Sequence, residues 1–209
     1  MQYAMFLVMK QVRGKTPNEL AETLAERLHE EESFSVNERF SMHKMNRYMI
    51  HRLLARMTDF VERESGLPSR YTEYVGNGKV RYEVEHIWAD HFEQHQDEFS
   101  HPADFAEYRN RIGGLLLLPK SFNASYGDLP YEEKREHYLK QDLLAQSLHP
   151  KCYERNPGFL RFIESSGLPF KSYEHFKKAE LDERQRLLTQ LAEQTWSVKR
   201  LYSMAGKSR

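Results

Sequence analysis

Cysteine is nearly absent from this chain of 209 residues: Cys152 is the only one. A disulfide framework and a thiolate zinc site are both excluded, and a reducing compartment fits. No motif around Cys152 supports a catalytic thiol, so it reads as a semi-buried small residue. Long apolar runs are missing too. The longest, near Met5–Met9 and Leu115–Leu118, are far too short to span a bilayer. The N-terminus has neither a basic leader nor a small-residue cleavage site, so no signal peptide and no membrane partner are expected, and the chain reads as cytoplasmic. Net charge is absent: 31 Lys and Arg stand against 31 Asp and Glu. That argues against a surface built wholly to wrap a polyanion and leaves room for a local basic groove. There is no internal repeat, no low-complexity segment and no Walker-type glycine loop. What remains, 30% charged and 39% hydrophobic residues, suits a folded, helix-rich protein rather than a disordered one.

Helical signals frame the chain. Thr16-Pro17-Asn18-Glu19 has the form of a capping box with Pro at the first helical position. Leu20, Leu24 and Leu28 then repeat at helical spacing, predicting a helix to about Glu31. A second helix is predicted near Lys44–Glu64, with Met45, Met49, Leu53, Met57 and Phe60/Val61 on one core-packing stripe. Gly66-Leu67-Pro68 stops it. After Pro130 a helical segment is expected over Tyr131–Leu148. A final helix, roughly Leu181–Tyr202, carries Leu187, Leu188, Leu191, Val198 and Leu201 on one face and ends in basic residues.

Between these helices the pattern changes. Tyr71–Val75 and Val80–His86 carry strand formers, and Gly76-Asn77-Gly78 reads as the hairpin turn between them. Val80, Tyr82 and Val84 alternate with Arg81, Glu83 and Glu85, which predicts one apolar face. Ile112–Leu118, bounded by Gly113-Gly114 and Pro119, reads as a buried strand. The polar stretch Ala89–Arg109 reads as an insertion. The expected fold class is α+β and mostly helical, with a small strand-strand-helix core flanked by helices. The expected divisions are a helical N-terminal lobe (1–68), a core (69–150) and a C-terminal helical segment packing on it (151–209).

The order of pieces in that core carries the functional reading. A carboxylate–histidine pair, Glu85-His86, closes an alternating strand. Asn110 and a Gly-Gly turn precede the next strand, and Asn123 lies in the helix that follows. This order resembles the ββα-metal core of HNH endonucleases. The resemblance implies a phosphodiester hydrolase with one divalent ion, Mg²⁺ or Mn²⁺. It makes His86 the general base, Glu85 and Asn123 metal ligands, and Asn110 the residue that pins the loop and holds the His86 tautomer. His86 and Asn123 are 37 positions apart, more than in minimal HNH units, and the excess lies in Ala89–Arg109.

Glu85-His86-Ile87, Ile112-Gly113-Gly114-Leu115, Asn123 and Pro130-Tyr131-Glu132-Glu133-Lys134 are similar to the C-terminal HNH domain of GmrSD-type, modification-dependent restriction proteins. The helix before the motif and the Arg184–Trp196 segment also fit. The resemblance implies a DNA endonuclease, a nicking or double-strand cutter acting in phage defence. Two departures stand out. Gly114 occupies a position that is usually Asn, and Trp88-Ala89-Asp90 stands where a Pro usually follows the histidine. The Gln-Gln-Arg signature of the nucleotide-hydrolysing domain in full-length relatives is absent. The chain is thus expected to be a C-terminal effector piece, with a nucleotide-hydrolysing sensor as its partner. Lys120, Lys134 and Arg135, near the motif helix, are the candidate DNA phosphate contacts, each with an equally good reading as a solvated surface charge.

Two competing readings stand beside this one. His91 and His95, at a helical spacing that can bind zinc, join His101, Asp90, Asp97 and Glu98. The glutamate of the zincin pattern is missing, and a solvated polar insertion is the preferred reading. The other is a non-catalytic nucleic-acid-binding or partner-docking module with a decayed HNH site, for which Gly114 argues. Retention of Glu85, His86 and Asn123 together, and the neutral net charge, argue against it.

Overall fold

The structure is a computed structural model that describes residues 2–29, 47–76 and 78–206. In chain order its helices and strands are α1 (Gln2–Val12), α2 (Pro17–His29), α3 (Arg47–Glu64), α4 (Tyr71–Val75), β1 (Tyr82–His86), α5 (Pro102–Arg109), β2 (Leu115–Pro119), α6 (Lys120–Tyr126), α7 (Tyr131–Tyr138), α8 (Leu143–Gln146), α9 (Pro157–Ser166), α10 (Lys178–Thr195) and α11 (Val198–Met204). Among the described residues the only sheet is the antiparallel pair β1–β2, so the fold is α+β and mostly helical.

Two compact units emerge, one from residues 1–37 with 192–209 and one from residues 38–191. In the first, α2 packs against α11 through Ala21, Ala25 and Tyr202. The capping box forms as predicted: the Thr16 backbone N–H donates to Glu19 Oε2 at 2.8 Å, and the Glu19 N–H donates back to Thr16 Oγ1 at 3.4 Å. The predicted continuation to Glu31 lies outside the described residues.

In the second unit, β1 and β2 sit against helices on both sides. His86 pairs with Leu115 and Tyr82 with Pro119 across the ladder, and α6 follows β2 directly and packs on both strands. Ile87, Trp88, Phe105, Leu116, Phe122 and Tyr138 are among the core residues beneath them. Leu53, Met57, Phe60 and Val61 of α3 are buried as predicted, whereas Met49 is half exposed. Met45 lies outside the described residues. Gly66 ends α3 with φ +87°, a left-handed conformation that costs glycine no side-chain clash.

Four sequence expectations are corrected. Tyr71–Val75 is a helix, not a strand, because Asp59 Oδ1 on α3 accepts the Arg70 and Tyr71 N–H groups at 2.7 and 3.0 Å and so satisfies the first turn from outside. No strand therefore precedes β1 here to form the expected hairpin, whose Asn77 lies outside the described residues, and Val80 is exposed rather than part of an apolar face. The strand read over Ile112–Leu118 opens with a 3₁₀ turn at Ile112–Gly114 and extends only from Leu115. The last helix breaks after Thr195, and the Ser197 hydroxyl accepts the Arg200 N–H to start α11. The fourth is the stretch 89–109. It is not simply solvated: Phe99 and Phe105 are buried, and α5 lies within it.

Candidate functional site

β1 delivers His86 to the edge of the core, and α5 delivers the residue that holds it. Asn110 caps the C-terminus of α5, and its Oδ1 lies 3.0 Å from His86 Nε2. The Asn110 amide nitrogen donates to the Ala106 carbonyl at 2.6 Å. That second bond fixes which way the amide faces, so the oxygen is presented to the imidazole and Nε2 is the donor. The proton on Nε2 leaves Nδ1 as the ring nitrogen with a lone pair. Burial first, and then the Arg109 charge, push the His86 pKa down to about 4. The ring is neutral at physiological pH with a wide margin, further below neutrality than an unperturbed histidine would stand.

Glu85 does not lie on a polar face. It is buried with only 6% exposure, beside an equally buried Val84. Lys134 of α7 accounts for this. Its ammonium, wholly buried, donates to Glu85 Oε1 at 2.8 Å and to the His86 carbonyl at 3.0 Å. Burial raises the Glu85 pKa and lowers that of Lys134, the attraction between them opposing both shifts. Lys134 is thus an internal counter-ion, and no surface for DNA is offered by its ammonium. Arg135 is likewise committed, donating to the Tyr173 and Glu174 carbonyls at 3.0 and 3.2 Å. Lys120, 62% exposed and 3.6 Å from Glu83, is the one of the three whose charge faces solvent.

Asn123 lies in the middle of α6. Its Oδ1 is buried and has no hydrogen-bond partner among the described residues. A buried amide oxygen with nothing to accept from is expensive, and such atoms are few in folded proteins. It is one of several buried polar side-chain atoms without a partner among the described residues, and the one that lies on the motif helix. Among the described residues no three His, Cys, Asp or Glu side chains gather as a metal cage. The orphaned Asn123 amide oxygen and the Glu85 carboxylate, already held by an ammonium, would make a sparse donor set of oxygens. It fits a hard ion that keeps most of its water, not a closed tetrahedral zinc site.

The Gly-Gly turn is fixed from α10. Gln185 Oε1 accepts the Gly113 N–H at 2.7 Å, and Arg184 Nη1 donates to the Gly113 and Leu115 carbonyls at 2.6 and 3.0 Å. A Cβ on Gly113 would lie 2.5 Å from the Leu181 carbonyl oxygen and 2.7 Å from the Gln185 nitrogen, so glycine is required by the approach of two backbones. At Gly114 a Cβ would lie 3.0 Å from the Arg109 carbonyl oxygen and 3.3 Å from a Leu181 methyl. A larger residue there would crowd both, and Asn110 is the asparagine that reaches the histidine.

The histidine-rich stretch separates into three roles. His91 lies 3.1 Å from Glu93, His95 packs on the Trp88 and Phe105 rings, and His101 accepts the Ala103 N–H to cap α5. Two residues not anticipated around His86 are Lys134, in its buried role, and Arg109. Only the adjacency of Arg109 to Asn110 in sequence could have pointed to it.

No helix among the described residues is long and apolar enough to cross a membrane. No curated protein and no solved structure matches the chain. Residues 14–191 match the family described as GmrSD restriction endonucleases, C-terminal domain, and the chain belongs to that family.

Proposed function

We propose that this chain is an HNH-type, metal-dependent DNA endonuclease acting in the cytoplasm as an effector of phage-defence restriction. The observation that carries the reading is the oriented His86–Asn110 pair at the end of β1, followed through β2 by a helix bearing an unpartnered buried Asn123 Oδ1. Family membership supplies restriction endonuclease chemistry and DNA as the substrate class.

In this reading His86 Nδ1 takes a proton from the attacking water while Asn110 stabilises the Nε2–H side of the ring. A neutral ring at working pH is what a general base requires, and burial together with Arg109 keeps it so. Asn123 and Glu85 would hold Mg²⁺ or Mn²⁺, with the Lys134 ammonium sharing Glu85. Such an ion, when bound, stabilises the phosphorane charge and the leaving 3′ oxygen. Lys120 serves as a phosphate contact, giving affinity without sequence choice. A nucleotide-hydrolysing sensor on a partner or further domain supplies recognition of modified DNA.

The test is cleavage of supercoiled plasmid by the purified chain with Mg²⁺ or Mn²⁺, beside EDTA and His86→Ala controls. The expected result is nicking or linearisation that needs both metal and His86, with a loss of about 10²–10⁴-fold in the variant. Duplex binding without cleavage under either metal, with Asn123→Ala indistinguishable from the parent, would favour the non-catalytic binding module.

A further inference from the structure

We propose that the Arg109 guanidinium is a binding site for a phosphodiester oxygen of DNA beside His86, an inference that rests on the nuclease reading. Arg109 closes α5 next to Asn110, the residue that orients the imidazole. Its Nε donates to the Trp88 carbonyl at 3.0 Å, which anchors one edge of the fork. The terminal nitrogens donate to no acceptor among the described residues. Their nearest carboxylate, Asp90 Oδ2, stands 4.0 Å from Nη1 on a side chain that is 79% exposed.

Three other arginines of the same unit have acceptors within the fold. Arg70 forks onto Glu73 at 2.9 and 2.8 Å, Arg184 spans two carbonyls, and Arg111 meets Asp182 at 3.2 Å. Arg184 also leaves Nη2 without a partner, but it is wholly buried, whereas the Arg109 side chain keeps 17% exposure beside a solvent-facing Asp90, and its charge is felt at His86, Glu85 and Lys134. A planar fork with one anchored edge and one open edge matches two oxygens of a phosphate group. Asp90, loosely held and solvent-facing, is displaced by the incoming anion. The cation at the last turn of α5 also complements the helix dipole, but that role is met by charge alone and needs no anchored Nε. The surface lysine Lys120 supplies non-specific attraction, whereas Arg109 fixes which phosphate meets the imidazole.

The experiment measures binding of a short labelled duplex in EDTA, where no metal-dependent cleavage occurs, by fluorescence anisotropy over a series of salt concentrations. Parent, Arg109→Gln and Arg109→Lys are compared, with thermal unfolding of each. The expected result is that Arg109→Gln binds several-fold more weakly and lowers the salt slope by about 0.9, the equivalent of one phosphate, while Arg109→Lys keeps the slope. A folded Arg109→Gln with the parent's affinity and slope overturns the assignment. So does an Arg109→Lys slope that falls below the parent's, because the Trp88 tie rather than the charge would then be at work. Absence of duplex binding by the parent overturns the nuclease reading itself and this assignment with it.

Discussion

Two buried polar knots lie in the same unit of this protein, and they differ in how they end. One joins His86, Glu85, Asn110 and Lys134 around the end of β1. The other joins α3, α4 and the loop before α8: Tyr74 donates to Glu62 at 2.8 Å, and Asp59 accepts from Ser69, Arg70 and Tyr71, while Asp142 caps α8 through Ala145. Both bury charge and both displace pKa values. Burial raises Asp142 to about 7 and raises Glu62 as well. The second knot has one orphan, Asp142 Oδ2, on a carboxyl whose pKa burial raises to about 7. The first is bordered by Asn123 Oδ1 and by the Arg109 fork, which ends beside the 79% exposed Asp90. Perturbed titration alone therefore does not separate a clamp from a site. The order of the motif residues along β1, β2 and α6 is what sets the first knot apart.

The sharpest way to break the comparison is to unbalance the first knot. Lys134→Met leaves Glu85 buried without its counter-ion, and a loss of about 3–5 kcal/mol is expected in urea unfolding. Adding Glu85→Gln should recover most of it. A single variant as stable as the parent would mean that Glu85 is not held by this pair.

The pH dependence of stability sets the two knots against each other. His86 is depressed in the fold, so the unfolded chain takes up a proton first as pH falls. The stability it contributes is present above about 6.5 and is lost between there and about 4. Asp142 is raised, so its contribution is present below its ordinary value near 4 and is lost as pH rises towards 7. Asp142→Asn, which keeps a cap for α8, should gain on the parent as pH rises from 5 to 8. His86→Gln should gain as pH falls from 7 to 4.5. Urea unfolding at four pH values reads both, and parallel curves for parent and variants would contradict the assignment.

The smallest stability effect belongs to Asn123. Because its Oδ1 satisfies nothing within the chain, Asn123→Ala should shift stability by less than about 1 kcal/mol while sharply reducing metal-dependent nicking. A large loss of stability would make Asn123 a structural residue instead.

Legibility followed the reach of the interactions involved. The strand ending at His86, the apolar strand before Pro119 and the helix bearing Asn123 come from local pattern, and local pattern located them. Tyr71–Val75 did not yield, because its strand formers are overruled by Asp59, which lies on a preceding helix and satisfies the N–H groups that α4 leaves unpaired. Lys134 looked like a solvated lysine on a polar helix because its partner, Glu85, is 49 residues away. The shortening of β2 arises from Gln185 and Arg184, further along the chain still. Charge pairs and backbone captures across such separations leave no periodic trace.

The hold of α10 on Gly113 has a consequence in time. The motif residues lie between 85 and 123, yet the Gly113 turn between Asn110 and β2 is held by Arg184 and Gln185 and abuts Leu181. During synthesis the histidine, both asparagines and the carboxylate leave the ribosome well before their fastening does. A chain that stops before residue 181 therefore carries every motif residue without the contacts that fasten the Gly113 turn.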